Sequence, residues 1–239
     1  MAGQLKKVFE KVAELNTWAN PDSLSGRGSN LEQTIVIRKE IPELVKKYAI
    51  KTMLDAPCGD LFWMREILPS LINIEVKYTG ADIVTSLINS NIEKLSQPAV
   101  DFKCVDLTRS DTGQYDLIFT RDCFIHLSFK NIYLILSNYK KSGSRYLLTN
   151  TYLQEERSNI DVDDHFVQGR MLNMQKFPFY FPTPIEMINE GCTEGDGQEY
   201  NDKSLGLWEL KSINLSVLKF WITMSSILKP FSFNKQQHK

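Results

Sequence analysis

Charged side chains recur every few residues through MAGQLKKVFEKVAEL, with no uninterrupted apolar stretch, so the chain is read as opening on an amphipathic helix rather than a secretory leader. The loop NTWANPDSLSGRGSNLEQT follows, dense in Asn, Ser, Gly and Pro. Ser29 and Asn30, placed before Glu32 and Gln33, predict the start of a helix over about residues 30–47, interrupted near Pro42. Patterning then predicts a strand at TMLDAP, a helix at LFWMREILPSL, a strand at VKYTGADI and a helix at TSLINSNIEKL. Strands at VDFKCVDL and YDLIFTRDCF, a helix at NIYLILSNYKKSG and a strand at RYLLTNTY come next. Such alternation, sustained to about residue 152, builds an α/β fold of Rossmann-like class, a mostly parallel sheet with helices on both faces.

From residue 153 to about 200 the rhythm fails. Acids, aromatics and prolines there read as an insertion that forms part of a substrate pocket, before SLGLWELKSI resumes a strand pattern. The length of 239 residues suits one domain. Its expected parts are an N-terminal helical cap and loop (1–50), a ligand-binding core (51–152) and a substrate-side region with the last strands and helix (153–239).

Composition narrows the classes of partner. Lys and Arg total 28 against 29 acids, so no global positive field is available for a nucleic-acid backbone. Cys58, Cys104, Cys123 and Cys192 show no CxxC spacing, and the first three lie in or beside apolar runs, as reduced thiols of a cytoplasmic protein do. The window INLSVLKFWITMSSIL is the most apolar in the chain, yet Lys219 interrupts it and it is shorter than the roughly 20 residues a bilayer crossing needs. It is expected to be a packing helix without stable membrane insertion, and it makes a homodimer contact plausible. The closing SFNKQQHK reads as a frayed tail.

The chemistry gathers at the ends of the strands. Asp55, Asp82, Asp106 and Asp122 each follow an apolar run, which places four carboxylates along one edge of the sheet, where ligands of such folds sit. A glycine in the first turn, Gly59, lets backbone approach a ligand, and an acid after the second strand can take the hydroxyls of a ribose. An acid after the third strand can accept from an adenine amino group. Together these describe a nucleoside site. The turn DAPCGD lacks the G-x-G-x-x-G spacing of dinucleotide binders, and Asp60 at the helix start repels a pyrophosphate while suiting a cationic ligand.

LDAPCGD, YTGADIV, FKCVDL and DLIFTRDCFIHLS resemble the successive cofactor motifs of class I S-adenosylmethionine-dependent methyltransferases. SLSGRGSNLEQT, DAPCGDLFWM, RDCFIHLS, INEGC and DKSLGLWEL further resemble bacterial methyltransferases associated with capsule and surface-polysaccharide biosynthesis, thought to methylate sugar hydroxyls or related small groups. Pro57 and Leu61 stand where the wider class has the first and last glycines of its turn. The resemblance implies a seven-stranded sheet, S-adenosylmethionine as cofactor and S-adenosylhomocysteine as product. It implies that Asp55 and Gly59 line the amino-acid end of the cofactor and that Pro57, Cys58 and Asp60 also bind it. Asp82 would hold the ribose, with Ile83 also binding the cofactor, Asp106 and Leu107 would flank adenine, and Arg121 and Asp122 would close the fourth-strand edge, with Gly26 and Ser29 folding over the cofactor.

Transfer to a sugar hydroxyl calls for a general base. His126, just beyond the fourth strand, is the candidate, with Asp122 orienting it or itself taking the proton. Tyr152, His165 and Arg170 are expected on the substrate side, Arg170 pairing with a phosphate of a nucleotide-activated sugar such as a GDP-heptose type donor. The acids Asp161, Asp163 and Asp164 beside His165 read either as a solvated loop or as ligands for a divalent cation, and no metal is assigned. The expected activity is O-methylation of a sugar or sugar nucleotide. Methylation of a nitrogen or a phosphate-linked oxygen on a small capsule precursor, and non-catalytic nucleoside binding, are the alternatives.

Overall fold

Five parallel strands, β1 (Thr52–Asp55), β2 (Lys77–Asp82), β3 (Val100–Cys104), β4 (Leu117–Thr120) and β5 (Tyr146–Tyr152), are joined in one sheet by β6 (Glu186–Asn189) and β7 (Lys203–Glu209). The order is β3-β2-β1-β4-β5-β7-β6, with β7 antiparallel to both of its neighbours. These features come from a computed structural model that describes residues 3–163, 165, 167–195 and 199–228. The closing SFNKQQHK lies outside the described residues.

The sequence explains the layering. Strands β4 (LIFT) and β5 (YLLTNTY) are buried along their whole length because helices cover both faces. Alternate residues divide between two cores: Leu117, Phe119 and Leu148 face one, Ile118 and Leu147 the other. The first core is closed by α2 (Ile35–Lys47), α3 (Leu68–Asn73) and α4 (Thr85–Leu95) through Ile37, Leu71 and Ile88. The second is closed by α5 (Phe129–Lys141) and α6 (Ser216–Leu228) through Ile132, Leu136 and Leu218. The amphipathic α1 (Gln4–Glu14) packs Leu5 and Phe9 against this second core.

Three boundaries differ from the sequence reading. The helix expected from about residue 30 begins at Ile35, because Ser29 does not cap it: its hydroxyl donates to the Ser25 carbonyl, 3.3 Å away. Pro42 sits inside α2 without ending it. The helix expected over LFWMREILPSL is a single tight turn at Met64–Glu66 followed by the short α3. Pro69 stands in the first turn of α3, a position where its missing N–H costs no helical hydrogen bond, and so favours a helix that starts there. The irregular insertion contains β6, a four-residue strand preceded by Pro182 and Pro184, too short for its alternation to show.

Helix α6 is the packing element expected of the apolar window. Leu218 is fully buried and Trp221 sets its ring edge-on to Phe129, while Phe220 and Ile227 remain exposed. Among the described residues no helix is long and apolar enough to cross a membrane.

Leu147, fully buried at the centre of β5, fills the space between α5 and the sheet. Leu147→Ala is expected to cost about 2–5 kcal/mol of folding stability, read from urea unfolding midpoints.

Candidate active site

Strand order reverses between β1 and β4, and the cleft opens beyond the carboxyl ends of the strands at that point. Asp55, Pro57, Cys58, Gly59, Asp60, Asp82, Ile83, Asp106, Leu107, Arg121, Asp122, His126 and Ser29 all line it. Gly26, Tyr152, His165 and Arg170 do not.

The first turn is shaped by close approach. Gly59 takes a left-handed φ of 57°, and a Cβ there would stand 2.1 Å from the Ser25 hydroxyl oxygen, so only glycine fits. Its N–H donates to Asp82 Oδ2 (3.0 Å), and the Val84 N–H donates to Oδ1 (2.9 Å). Each oxygen therefore keeps a lone pair for a further donor. Burial raises the Asp82 pKa, against the lowering effect of these N–H groups. Asp55 accepts from the Tyr78 hydroxyl (2.6 Å), and burial pushes its carboxyl up to about 7 despite that bond. Asp106 accepts from the Thr108 backbone and hydroxyl, a local turn that leaves its side chain on the cleft wall beside Leu107.

Asp60 has a different task from the one the sequence suggested. Its carboxylate accepts from the Ser23 hydroxyl (2.9 Å), the Leu24 N–H (2.7 Å) and the Ser25 hydroxyl (3.1 Å). The charge is thus spent on pinning the loop that brings Ser25 and Ser29 over the cleft. Gly26, at φ 85°, packs against Trp18 on the outside of that loop, and its carbonyl accepts from Asn20.

The turn after β4 carries the groups closest to an acid–base pair. Asp122 adopts a left-handed φ of 52°, which aspartate tolerates better than most residues, and its N–H donates to Asn150 Oδ1. Burial would raise its pKa, but Arg121 and Lys203 more than offset this and hold the carboxyl down at about 2. His126 is driven the other way: burial lowers it to about 4, against the raising effect of Asp122, so the ring is neutral at neutral pH. Its Nδ1 and Asp122 Oδ1 are both buried without a hydrogen-bond partner among the described residues. Two unsatisfied acceptors on one wall cost free energy that a donating ligand recovers.

Four expected residues are corrected by their surroundings. Arg170 donates to the carbonyls of Ile160, Ile125 and Leu127 at 2.6–2.7 Å, so its guanidinium braces the His126 turn and is not held out for a phosphate. His165 is exposed and bonds the Gln4 side chain of α1 (2.8 Å). Tyr152, at the carboxyl end of β5, is buried with its ring edge-on to Tyr200 and does not line the cleft. Gly26 lies behind Trp18, as described. In the acidic segment, Asp161 accepts from the Phe129 N–H and Asp163 from the His165 N–H, while Asp164 lies outside the described residues. Among the described residues no group of three or more His, Cys, Asp or Glu is placed to hold a metal ion.

Sequence reasoning missed Trp18 and the cleft-facing side of α1. The Trp18 ring stacks on His126 with centroids 5.1 Å apart, and its N–H donates to the Val167 carbonyl (2.8 Å). Leu5, Phe9 and Val12 line the same cleft. A tryptophan isolated in a polar loop was the available signal. Glu190 and Lys203, which reach the site from β6 and β7, were also missed as functional positions.

No protein-family model and no curated protein sequence matches the chain. Its fold is shared with solved structures. Human N-acetylserotonin methyltransferase in complex with SAM is 13% identical, matches 72% of this chain and 51% of its own, and superposes with a TM-score of 0.52. The CMeT domain of the citrinin polyketide synthase is 17% identical over 74% of this chain and 52% of its own (TM-score 0.52). The methyltransferase domain of bacterial CtHen1-CN is 14% identical over 75% of this chain and all of its own (TM-score 0.51). The chain spans about half the length of the first two. Its fold, a seven-stranded, mostly parallel sheet with one antiparallel hairpin, is similar to that of these three methyltransferase structures.

The Asp55 shift has a stability signature. Its folded-state pKa of about 7 lies above the unfolded value, so the folded chain holds a proton that the unfolded chain has lost between about pH 4 and 7, and stability falls as pH rises through that window. Asp55→Asn removes this loss. Its stability relative to the unmodified protein is expected to increase from pH 5 to pH 7 and level off above, as followed by urea unfolding at each pH.

Proposed function

We propose that the protein is an S-adenosylmethionine-dependent O-methyltransferase whose acceptor is a hydroxyl of a sugar or nucleotide-activated sugar, of the kind used in bacterial capsule and surface-polysaccharide biosynthesis. The observation that carries the cofactor reading is the cleft itself. Beyond the set of Asp122, Glu190, Arg121 and Lys203, in which two cations balance two anions, its wall carries Asp55, Asp82 and Asp106. Such a wall favours a cationic guest. Free lone pairs on buried Asp82 suit ribose hydroxyls, and the apolar Ile83 and Leu107 suit the faces of a purine.

S-adenosylmethionine supplies a methyl group already activated on a sulfonium. The chain has to place an acceptor oxygen in line, exclude water and take one proton. Leu5, Phe9 and Trp18 supply an apolar cover. A hydroxyl donating to His126 Nδ1 would satisfy one buried acceptor, and an imidazole that is neutral at neutral pH is free to take its proton. The anionic Asp122 beside it favours the imidazolium that results. The sugar assignment rests on the motif resemblance and on this donor-seeking wall. Because Arg170 is committed to carbonyls, any nucleotide arm must bind without it.

Titration calorimetry should show S-adenosylhomocysteine binding, weakened by about 1–3 kcal/mol in Asp82→Ala. Absence of binding to the unmodified protein would remove the proposal. In a labelled-cofactor screen against sugars and sugar nucleotides, His126→Ala should lower turnover about a hundredfold or more with cofactor affinity nearly unchanged. Unchanged turnover would point to a nitrogen acceptor that needs no base. With His126 at about 4, the rate should stay flat from pH 8 to 6 and fall only as the ring protonates below that, whereas an unperturbed histidine would already halve the rate near pH 6.5.

A further inference from the structure

Three motifs distant in the sequence, RDCFIHLS, INEGC and DKSLGLWEL, meet at one buried point. Arg121 follows β4, Glu190 follows β6 and Lys203 opens β7, with side chains only 5%, 1% and 4% exposed. Arg121 donates through Nε (3.1 Å) and Nη2 (2.7 Å) to Glu190 Oε2, while its Nη1 lies 3.1 Å from Asp122 Oδ2. Lys203 Nζ donates to the same Asp122 oxygen (2.8 Å) and lies 3.7 Å from Glu190 Oε2. Asn150 ties the set together: its Oδ1 accepts from the Asp122 N–H and its Nδ2 donates to Glu190 Oε1 (2.7 Å).

The distribution of these contacts is asymmetric. Every cation on Asp122 falls on Oδ2, and Oδ1 is left buried and unpartnered in the wall that also holds the unpartnered His126 Nδ1. A cluster serving the fold alone has no need to leave an acceptor unsatisfied, since that costs stability. Gly28 adds to the asymmetry: a Cβ there would lie 3.0 Å from Asp122 Oδ2, so the loop backbone covers the occupied oxygen.

We propose that Lys203 and Glu190 are positioning residues for methyl transfer: with Arg121 and Asn150 they hold Asp122 ionised and turned so that its Oδ1 receives an N–H or O–H donor of the acceptor beside His126. The inference rests on the methyltransferase reading above and assigns the acceptor a second donating group, as a vicinal diol or an amino alcohol would offer. Lys203 supplies the charge that compensates Asp122, and Glu190 sets the reach of Arg121.

The charged and titratable groups that bear on this pair come from several elements. Arg121, Cys123 and His126 share its turn, Tyr152 comes from β5, Glu190 from the end of β6 and Lys203 from β7. Glu194 flanks Gly28, and Arg170 acts on His126. Loss of Lys203 leaves the negative charge of Asp122 less compensated, which favours protonated His126.

The test is a proton NMR titration of the His126 ring in the full chain saturated with S-adenosylhomocysteine, the resonance being assigned with His126→Gln. In Lys203→Met the midpoint should rise from about 4 toward or beyond the ordinary histidine value of about 6.5, and Lys203→Arg should restore the low midpoint. With an acceptor that the unmodified protein turns over, Lys203→Met should lose about ten- to a hundredfold in kcat with little change in the cofactor KM. Should Lys203→Met fail to fold, Lys203→Met combined with Glu190→Gln removes one charge of each sign, and it should show the same loss in kcat. A folded variant that binds S-adenosylhomocysteine normally, with an unmoved His126 midpoint and unchanged kcat, would overturn the inference. Absence of S-adenosylhomocysteine binding in the unmodified protein would instead overturn the cofactor reading.

Discussion

The buried pairing of Asp122 with Arg121 and Lys203 is the constraint on which the rest of the site depends. It joins the turn after β4 to β7, and through Glu190 and Asn150 it also engages β5 and β6. Removing one member of such a cluster strands an uncompensated charge, at a cost of about 3–5 kcal/mol. The balance of two cations against two anions lets the set be buried. It also holds the left-handed turn at Asp122, from which the chain runs on to place His126 on the wall of the cleft.

A second set of contacts assembles the opposite wall. Asp60 pins Ser23, Leu24 and Ser25, Gly59 admits the Ser25 hydroxyl, and Trp18 is held between His126 and the Val167 carbonyl. The segment before α2 is therefore part of the cleft wall. Asp55, Asp82 and Asp106 stand on this wall outside the balanced set around Asp122, and the cover is apolar. The neutral His126 and ionised Asp122 are set apart by burial and by neighbouring charge respectively, a division of titration states that suits acid–base work.

Much of this was legible in the sequence because it is local. Asp55 and Asp82 end short apolar runs, and a parallel sheet carries such residues to one edge whatever the details of packing. The roles that were not legible depend on contacts distant in the chain. Nothing around Asp60 indicates that its partners are at Ser23–Ser25, and nothing around Arg170 indicates that its turn runs under residues 125–127. Lys203 stands at the head of an apolar strand, where a lysine ordinarily marks an exposed end, and its burial follows only once Asp122 and Glu190 are in place. Proline chemistry alone did not separate Pro42, which α2 passes through, from Pro69, where α3 begins, and the four-residue β6 was hidden by its brevity.

The central claim is that the carboxyl edge of the sheet holds S-adenosylmethionine with its reactive end toward His126 and Asp122. A crystal structure of the protein grown with S-adenosylhomocysteine tests this most directly. The account predicts ribose hydroxyls on the Asp82 carboxylate, the purine between Ile83 and Leu107, and the sulfur facing the space beside His126. A cofactor product bound elsewhere, or bound here with Asp82 unengaged and its sulfur turned away from His126, would contradict it.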